Sequence, residues 1–333
     1  MKRAPQRVRI GYFGKLPAHG DFIKACGNTA LVTLLDQWLA EVMNLLKAEP
    51  RWKLLYDAMR PLQFAFVGTR SRCAIAGRIA ASSDQSQRRF PFLAMSALDV
   101  GEPARFVARS PLALAGLWQR LDSLAGAVGA AADPGPALLA LAAGVVDVEP
   151  DGAGHDGEFA AFAERHTLSG LDAMLASAGF AGPARQLIMA LGLLLQAVRD
   201  NGAARLEKSL VLPVPADAAR RCLVAAFWLH LIAPFLQQAD FELALFFTER
   251  QGGAVMVIGF CGADPHTLLA IIDPAAGIER HIDFESMEWV DERVRADARL
   301  QQLAACLARP QLSLRSAHEL FHETFACAPP EGR

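Results

Sequence analysis

No two of the six cysteines, Cys26, Cys73, Cys222, Cys261, Cys306 and Cys327, are spaced as a CxxC pair, and they are scattered along the chain. That usage fits buried or incidental thiols in a reducing compartment and argues against a disulfide framework or a zinc knuckle. Long apolar runs are also missing. The longest, Cys222 to Leu236, is broken by His230 and Pro234 and falls short of the roughly 20 residues a membrane helix needs, so a buried helix is expected. No apolar h-region follows the basic start Met1-Lys2-Arg3, because Pro5, Gln6, Arg7 and Arg9 intervene; neither a signal peptide nor membrane insertion is expected. A hydrolase signature of the form GxSxG is absent, as are kinase and serine/threonine phosphatase patterns. Cys261 and His266 are close in sequence but have no placed third group. The basic residues are dispersed, without an aromatic-interleaved cluster, which disfavours nucleic acid as a partner.

What is present is apolar bulk. Hydrophobic residues make up 53% of 333, enough to fill two cores and too much for disorder, and the length suggests two domains. Net charge is −2, but residues 1–110 balance at +9 and residues 111–333 at −11. A basic first part could meet an acidic partner or dock on its own acidic remainder.

The patterning predicts an α+β chain. Alternation over Arg7–Phe13 reads as a strand, and the Leu/Trp stripe from Leu31 to Leu46 as a helix capped at Asn28 or Thr29 and closed by Pro50. Leu62–Val67, Cys73–Ala80 and Phe90–Leu98 read as strands, with a turn over Ser82–Arg89. Pro111 is expected to start a helix through Leu124. The Asp133-Pro134-Gly135-Pro136 cluster and the Asp151–Glu158 loop punctuate an alanine-rich stretch. Accordingly, residues 1–132 are expected to form an N-terminal α+β domain, 133–182 a helical connector, and 183–333 a second, smaller α+β domain. In that last unit Leu187–Val198 and Cys222–Leu236 read as buried helices, the latter capped by Asp217. Ser209–Val214 reads as a strand, and Phe241–Thr248 and Ala254–Phe260 as a hairpin flanking Arg250-Gln251-Gly252-Gly253. Two helices, about 296–308 and 313–325, complete it.

Three strings suggest chemistry. His318-Glu319-Leu320-Phe321-His322 is an HExxH pattern, which on a helix stacks two imidazoles one turn apart with a glutamate as general base. A catalytic zinc needs a third protein ligand, and the 11 residues after His322 hold no histidine. A solvent-facing His/Glu stripe, with Leu314, Leu320, Phe321 and Phe325 turned inward, is the expected reading, and a zinc hydrolase the minor alternative. Gly11-x-x-Gly14-Lys15 resembles part of a P-loop, but only two residues separate its glycines and Leu16-Pro17 replaces the magnesium-binding hydroxyl. Asp283, Glu285, Glu288, Asp291 and Glu292 form an acidic run that reads as a solvated face. No metal or cofactor is expected.

Two segments remain. In Gly11–Phe22 a strand ends, turns through Pro17 and Gly20, and places Asp21 beside Phe22-Ile23; in Ser82–Pro91, Asp84 and Arg88 bracket a tight turn. Asp21 or Asp84 paired with Arg88 would lock one loop to the other. Together these segments resemble the hallmarks of the TagF family. The family's opening reads approximately G-x-x-G-K-L-P-x-x-G-D-F, matched by Gly11, Gly14, Lys15, Leu16, Pro17, Gly20, Asp21 and Phe22. Its second signature, S-x-D-x-x-G-R-x-F-P, is matched by Ser82, Asp84, Arg88, Phe90 and Pro91, with Gln87 where glycine is usual. The resemblance covers residues 8–98.

That resemblance implies a longin- or profilin-like sheet flanked by helices in the N-terminal domain. It also implies a non-enzymatic, cytoplasmic accessory protein of bacterial type VI secretion, peripheral to the inner-membrane complex. Such proteins act after translation, typically as repressors, with the FHA-domain scaffold and other components of the apparatus; a structural or assembly platform is the alternative. Lys15, Asp21, Phe22, Asp84 and Arg88 are the expected partner-binding residues. Gly11, Gly14, Leu16, Pro17, Gly20, Ser82, Phe90 and Pro91 are expected to shape the backbone.

Overall fold

A computed structural model describes residues 5–151, 153–200, 206–237 and 239–326; Met1–Arg3 and Cys327 lie outside them. The chain begins with strands β1 (Gln6–Arg9), β2 (Gly11–Gly14) and β3 (Ile23–Ala25). Alternation over Arg7–Phe13 predicts one strand, but the ladder switches at Ile10, whose amide donates to the Gly144 carbonyl at 3.0 Å. Helix α1 (Thr29–Leu46) is capped by Asn28, whose side chain accepts from the Leu31 amide at 3.0 Å, and buries the Leu35, Trp38, Leu39, Val42 and Leu46 stripe. After α2 (Trp52–Asp57), strands β4 (Leu62–Gly68), β5 (Cys73–Ala80) and β6 (Phe92–Asp99) form an antiparallel meander.

Helix α3 runs over Pro103–Ala130, so Pro111 lies inside it and does not start it. Proline at 111 withholds the N–H that the Val107 carbonyl would accept; the Ser110 hydroxyl donates to that oxygen instead, at 2.9 Å. Pro103 supplies the helix start. Next come α4 (Gly135–Ala142), β7 (Val145–Val148), α5 (Ala153–Arg165), α6 (Leu168–Ala176) and α7 (Ala184–Asp200). Strand β8 (Ser209–Pro213) leads to α8 (Ala218–Leu236), where the Asp217 side chain accepts from the Arg220 amide at 2.9 Å. The hairpin of β9 (Glu242–Arg250) and β10 (Gly253–Gly259) turns through Gln251 and Gly252, both at positive φ. Helices α9 (Pro265–Ile272) and α10 (Pro274–Arg280), strand β11 (His281–Ile282) and helices α11 (Glu288–Ala296), α12 (Ala298–Leu307) and α13 (Leu314–Phe325) follow.

The fold is α+β, as the patterning predicts. Its organisation departs from two units and a connector. One nine-stranded sheet runs β11-β8-β10-β9-β4-β5-β6-β2-β3, and its centre is the antiparallel pair β4–β9, which joins residues 63–68 to residues 242–247. Residues 133–182 are not wholly helical either, because β7 pairs with β1, and α5 begins inside the expected loop. The reason is burial on both faces. Successive strand side chains point to opposite sides, so Phe64, Phe66, Ala244 and Phe246 pack with α1 and α9. Ala65, Val67, Leu243, Leu245 and Phe247 pack with α3, α7, α8 and α13. Each core draws on both ends of the chain. Ion pairs also cross between the basic and acidic parts: Arg60–Glu249, Arg78–Asp122 and Arg109–Asp156.

Helix α8 is long and apolar enough to cross a membrane by length and composition, but 67% of that stretch is buried inside the protein. Phe227, Trp228, Leu229, Leu231 and Ile232 are fully buried there, and the Trp228 indole donates to the Pro213 carbonyl at 2.9 Å. It is the expected core helix.

Candidate functional site

The two motif loops meet at the β2/β6 end of the sheet. Gly14 has φ +134, and a Cβ there would stand 2.1 Å from the Pro91 carbonyl oxygen, so glycine is required. At Gly11 a Cβ would press on Cys26 at 2.8 Å. Gly20 has neither constraint, its nearest neighbour being 3.9 Å away. Pro17 follows Leu16 in a turn closed by the His19 amide donating to the Leu16 carbonyl at 3.0 Å. This path carries Lys15 inward, where its side chain finds Asp84.

Asp84 is fully buried and accepts from four donors. Its Oδ1 takes the amides of Ser86 and Arg88, both at 2.9 Å; its Oδ2 takes Lys15 Nζ at 2.8 Å and Arg88 Nε at 2.7 Å. Burial pushes the carboxyl up, but the bonds from Lys15 and from the amide and guanidinium of Arg88 outweigh it. They hold Asp84 well below the usual carboxylate range. Gln87 adopts φ +60 in this turn, so glutamine occupies the left-handed conformation that glycine takes at lower cost.

Further bonds tie the loops. Arg88 Nη2 donates to the Gly20 carbonyl at 2.8 Å, the Gln85 amide to the His19 carbonyl at 2.9 Å, and Ser82 Oγ to the Lys15 carbonyl at 2.7 Å. Tyr56, which the motifs do not mark, accepts from the Ser82 amide and donates to the Ser82 carbonyl, each at 2.9 Å. Its signal in the sequence is faint: one of only two tyrosines, a type whose hydroxyl needs a partner when buried.

The expected binding residues therefore separate. Lys15 is 6% exposed and Asp84 is closed off, so both position the loops and neither presents a contact. Asp21 is exposed but stays local, accepting from the Phe22 amide at 2.8 Å, and Asp84 alone forms the lock with Arg88. Phe22, 45% exposed, stacks on Phe13 (centroids 5.4 Å apart) and meets Phe90 edge-on at 4.9 Å, while Lys15 Nζ lies 4.8 Å from its centroid. Phe22 and the outer part of Arg88 thus form an aromatic and cationic surface over a buried ion pair. Leu16, Phe90 and Pro91 are buried beneath it. With Lys15 committed to Asp84, Gly11-x-x-Gly14-Lys15 does not offer a phosphate loop.

The model of the TagF N-terminal domain, type VI secretion system-associated, matches residues 11–143. Residues 11–143 of the chain thus form a TagF N-terminal domain. Both motif loops of the TagF domain lie inside the match, and the chain is a type VI secretion-associated protein. Among solved structures it is similar to PA0076 from Pseudomonas aeruginosa PAO1, at 22% identity, over 42% of this chain and 64% of that one, with a TM-score of 0.34. The matched region is thus under two thirds of the PA0076 chain, and the score is too low for the likeness to carry weight. No curated protein matches the chain.

Outside the TagF domain, the HExxH string differs from its expected solvent-facing stripe. His318 and His322 turn inward against α8, with Nε2 atoms 3.0 Å apart, and His322 Nε2 lies 3.2 Å from the His230 carbonyl. His230 itself stacks on Phe159 at 3.7 Å. Burial first, then the neighbouring rings of His322 and His230, push His318 down to about 3; burial also lowers His322. Glu319 faces outward to Arg315 at 3.1 Å, away from the rings. Among the described residues no three His, Cys, Asp or Glu side chains gather as a metal set. The acidic run disperses: Asp283 faces Arg250 at 3.7 Å, and Asp291 accepts from Gln186 at 3.4 Å.

Proposed function

We propose that this chain is a non-enzymatic accessory regulator of type VI secretion, a post-translational repressor that works on the cytoplasmic side by binding the FHA-domain scaffold. The observation that carries the reading is the pairing of a type VI-associated TagF domain with a surface in which Phe22 and Arg88 are held outward by a buried Lys15–Asp84–Arg88 cluster. Exposed aromatic and arginine side chains on a rigid base are the kind of anchors that dominate protein interfaces. The outward turn of Glu319 to Arg315 supports a role without hydrolysis.

The test is capture of the purified FHA-domain scaffold by the full chain, comparing wild type with Phe22→Ala and Arg88→Glu. Both variants are expected to keep the fold and lose capture. Folded variants that bind and repress like wild type would show the contact to lie elsewhere. Deleting the gene separates repression from an assembly role: a repressor's loss raises secretion, whereas loss of a structural platform abolishes it.

A further inference from the structure

Pro234 lies inside α8, so the carbonyl of His230, four residues earlier, lacks the backbone donor that a continuous helix supplies. That oxygen faces the imidazole pair of α13. His322 Nε2 stands 3.2 Å from it and 3.0 Å from His318 Nε2. Two further atoms able to donate an electron pair therefore lie around His322 Nε2, and the three come from two helices far apart in sequence.

Protons alone serve this meeting poorly. A neutral imidazole has one N–H, on either nitrogen. With protons on both Nε2 atoms, two N–H groups oppose each other across 3.0 Å; with none, three lone pairs do. A single proton serves one contact only: on His318 Nε2 it reaches His322 and leaves the carbonyl unpaired, and on His322 Nε2 it reaches either the carbonyl or the other ring. A cation at the centre engages all three donors together.

We propose that His318 Nε2, His322 Nε2 and the His230 carbonyl oxygen bind a borderline transition-metal ion, with zinc(II) as the reference case, clipping α13 onto α8. Imidazole is the favoured nitrogen ligand for such ions. At Zn–N distances of about 2.0–2.1 Å, two neighbouring nitrogen ligands stand roughly 3 Å apart, close to the spacing found. Water completes the coordination. His318 is flanked by the ring of Phe159, 6.4 Å away and edge-on, and His322 by that of Phe321, 5.4 Å away and edge-on. The role is structural: Glu319, the base a hydrolytic HExxH site would use, is turned to Arg315. The site is independent of the TagF surface and of the regulatory reading.

Titration of tag-free full chain with zinc sulfate, followed by calorimetry and thermal melting, tests the proposal. Saturable binding of one ion per chain is expected, with a Tm that climbs as zinc is added. His318→Gln and His322→Gln should each weaken binding by more than the roughly 10–100-fold that loss of an outer-shell partner costs, while His155→Gln leaves it unchanged. Should a glutamine variant fold poorly, NMR of wild type replaces it: zinc must shift the ring signals of His318 and His322 and leave those of His155 in place. No saturable binding at millimolar zinc, full binding in both glutamine variants, or ring shifts confined to other histidines would each overturn the site.

Discussion

The ammonium of Lys15 and the carboxylate of Asp84 lie 2.8 Å apart, although 69 residues separate them in sequence. Both are closed off from solvent, so their pairing turns two surface loops into one body. Arg88 completes the cluster from outside, with most of its side chain exposed. This arrangement divides the motif into a positioning half and a presenting half, and each half responds differently to substitution.

Lys15→Met should therefore destabilise the fold, by about 3 kcal/mol, because a buried carboxylate loses its buried cation. Arg88→Gln should cost less than about 1 kcal/mol, since its pairing is partly solvated and Lys15 remains. Urea denaturation monitored by tryptophan fluorescence distinguishes the two. Equal losses would show that the lock is not organised around Lys15. Charge reversal at Lys15 is thus a stability experiment, and only Arg88 and Phe22 report on partner capture.

Backbone geometry makes a second prediction. Gly14→Ala must relieve a Cβ placed 2.1 Å from the Pro91 carbonyl at φ +134, so a loss of about 3 kcal/mol or more is expected. Gly20→Ala, with open space around it, should change stability by less than about 0.5 kcal/mol. Gln87→Gly should be neutral or stabilising by up to about 1 kcal/mol, because it removes a side chain from φ +60. Thermal melts of the three variants check the order, and a Gly14→Ala protein as stable as wild type would contradict the geometry.

Local signals in the sequence reach a definite distance. Periodicity placed α1, β4, β5, β6, α8, the β9–β10 hairpin and α13, and side-chain chemistry placed the Asn28 and Asp217 caps, because each depends on neighbours a few residues away. The β4–β9 pairing was not legible: Leu62–Val67 and Phe241–Thr248 each read as a buried strand, and nothing local says that two such runs pair. Pro111 misled for a related reason, since its cost is removed by the Ser110 hydroxyl and not by ending the helix. Within the site, the motif spacing left Asp21 or Asp84 as the partner of Arg88, and it could not say that Asp84 would take that place or that Lys15 would be buried. Its ammonium lies 4.8 Å from the centroid of Phe22, a ring that Phe13 and Phe90 hold in place from other segments.

Acid should weaken the fold through His281. Burial first and then the nearby Arg250 guanidinium push its imidazole down to about 4, against the opposing bond to the Ala270 carbonyl and the charge of Asp283. The folded value is below the ordinary 6.5, so the neutral ring is the one the fold favours. Its contribution is fully present above pH 6.5 and is lost as pH falls toward 4, amounting to roughly 3 kcal/mol at most. Unfolding free energy measured in urea at pH 7, 6, 5 and 4.5 should fall less steeply in a folded His281→Gln variant than in wild type. Parallel slopes would show that His281 is not held neutral.

Ser110 and Pro111 form a coupled pair. In Ser110→Ala the fully buried helix segment keeps the Val107 carbonyl but loses its only side-chain donor in that turn, at a cost of about 1–3 kcal/mol. Pro111→Ala supplies a backbone N–H aimed at the same oxygen, since residue 111 is the fourth after 107 in α3. In that background Ser110→Ala should cost only about 0.5 kcal/mol, because the carbonyl no longer depends on the hydroxyl. A double-mutant cycle by chemical denaturation measures the difference directly, and the interaction energy should exceed about 0.5 kcal/mol, as expected for residues that share a partner. Additive losses would mean that the hydroxyl does not replace the donor missing at Pro111, and that the long, uninterrupted α3 owes its continuity to packing against α8 alone.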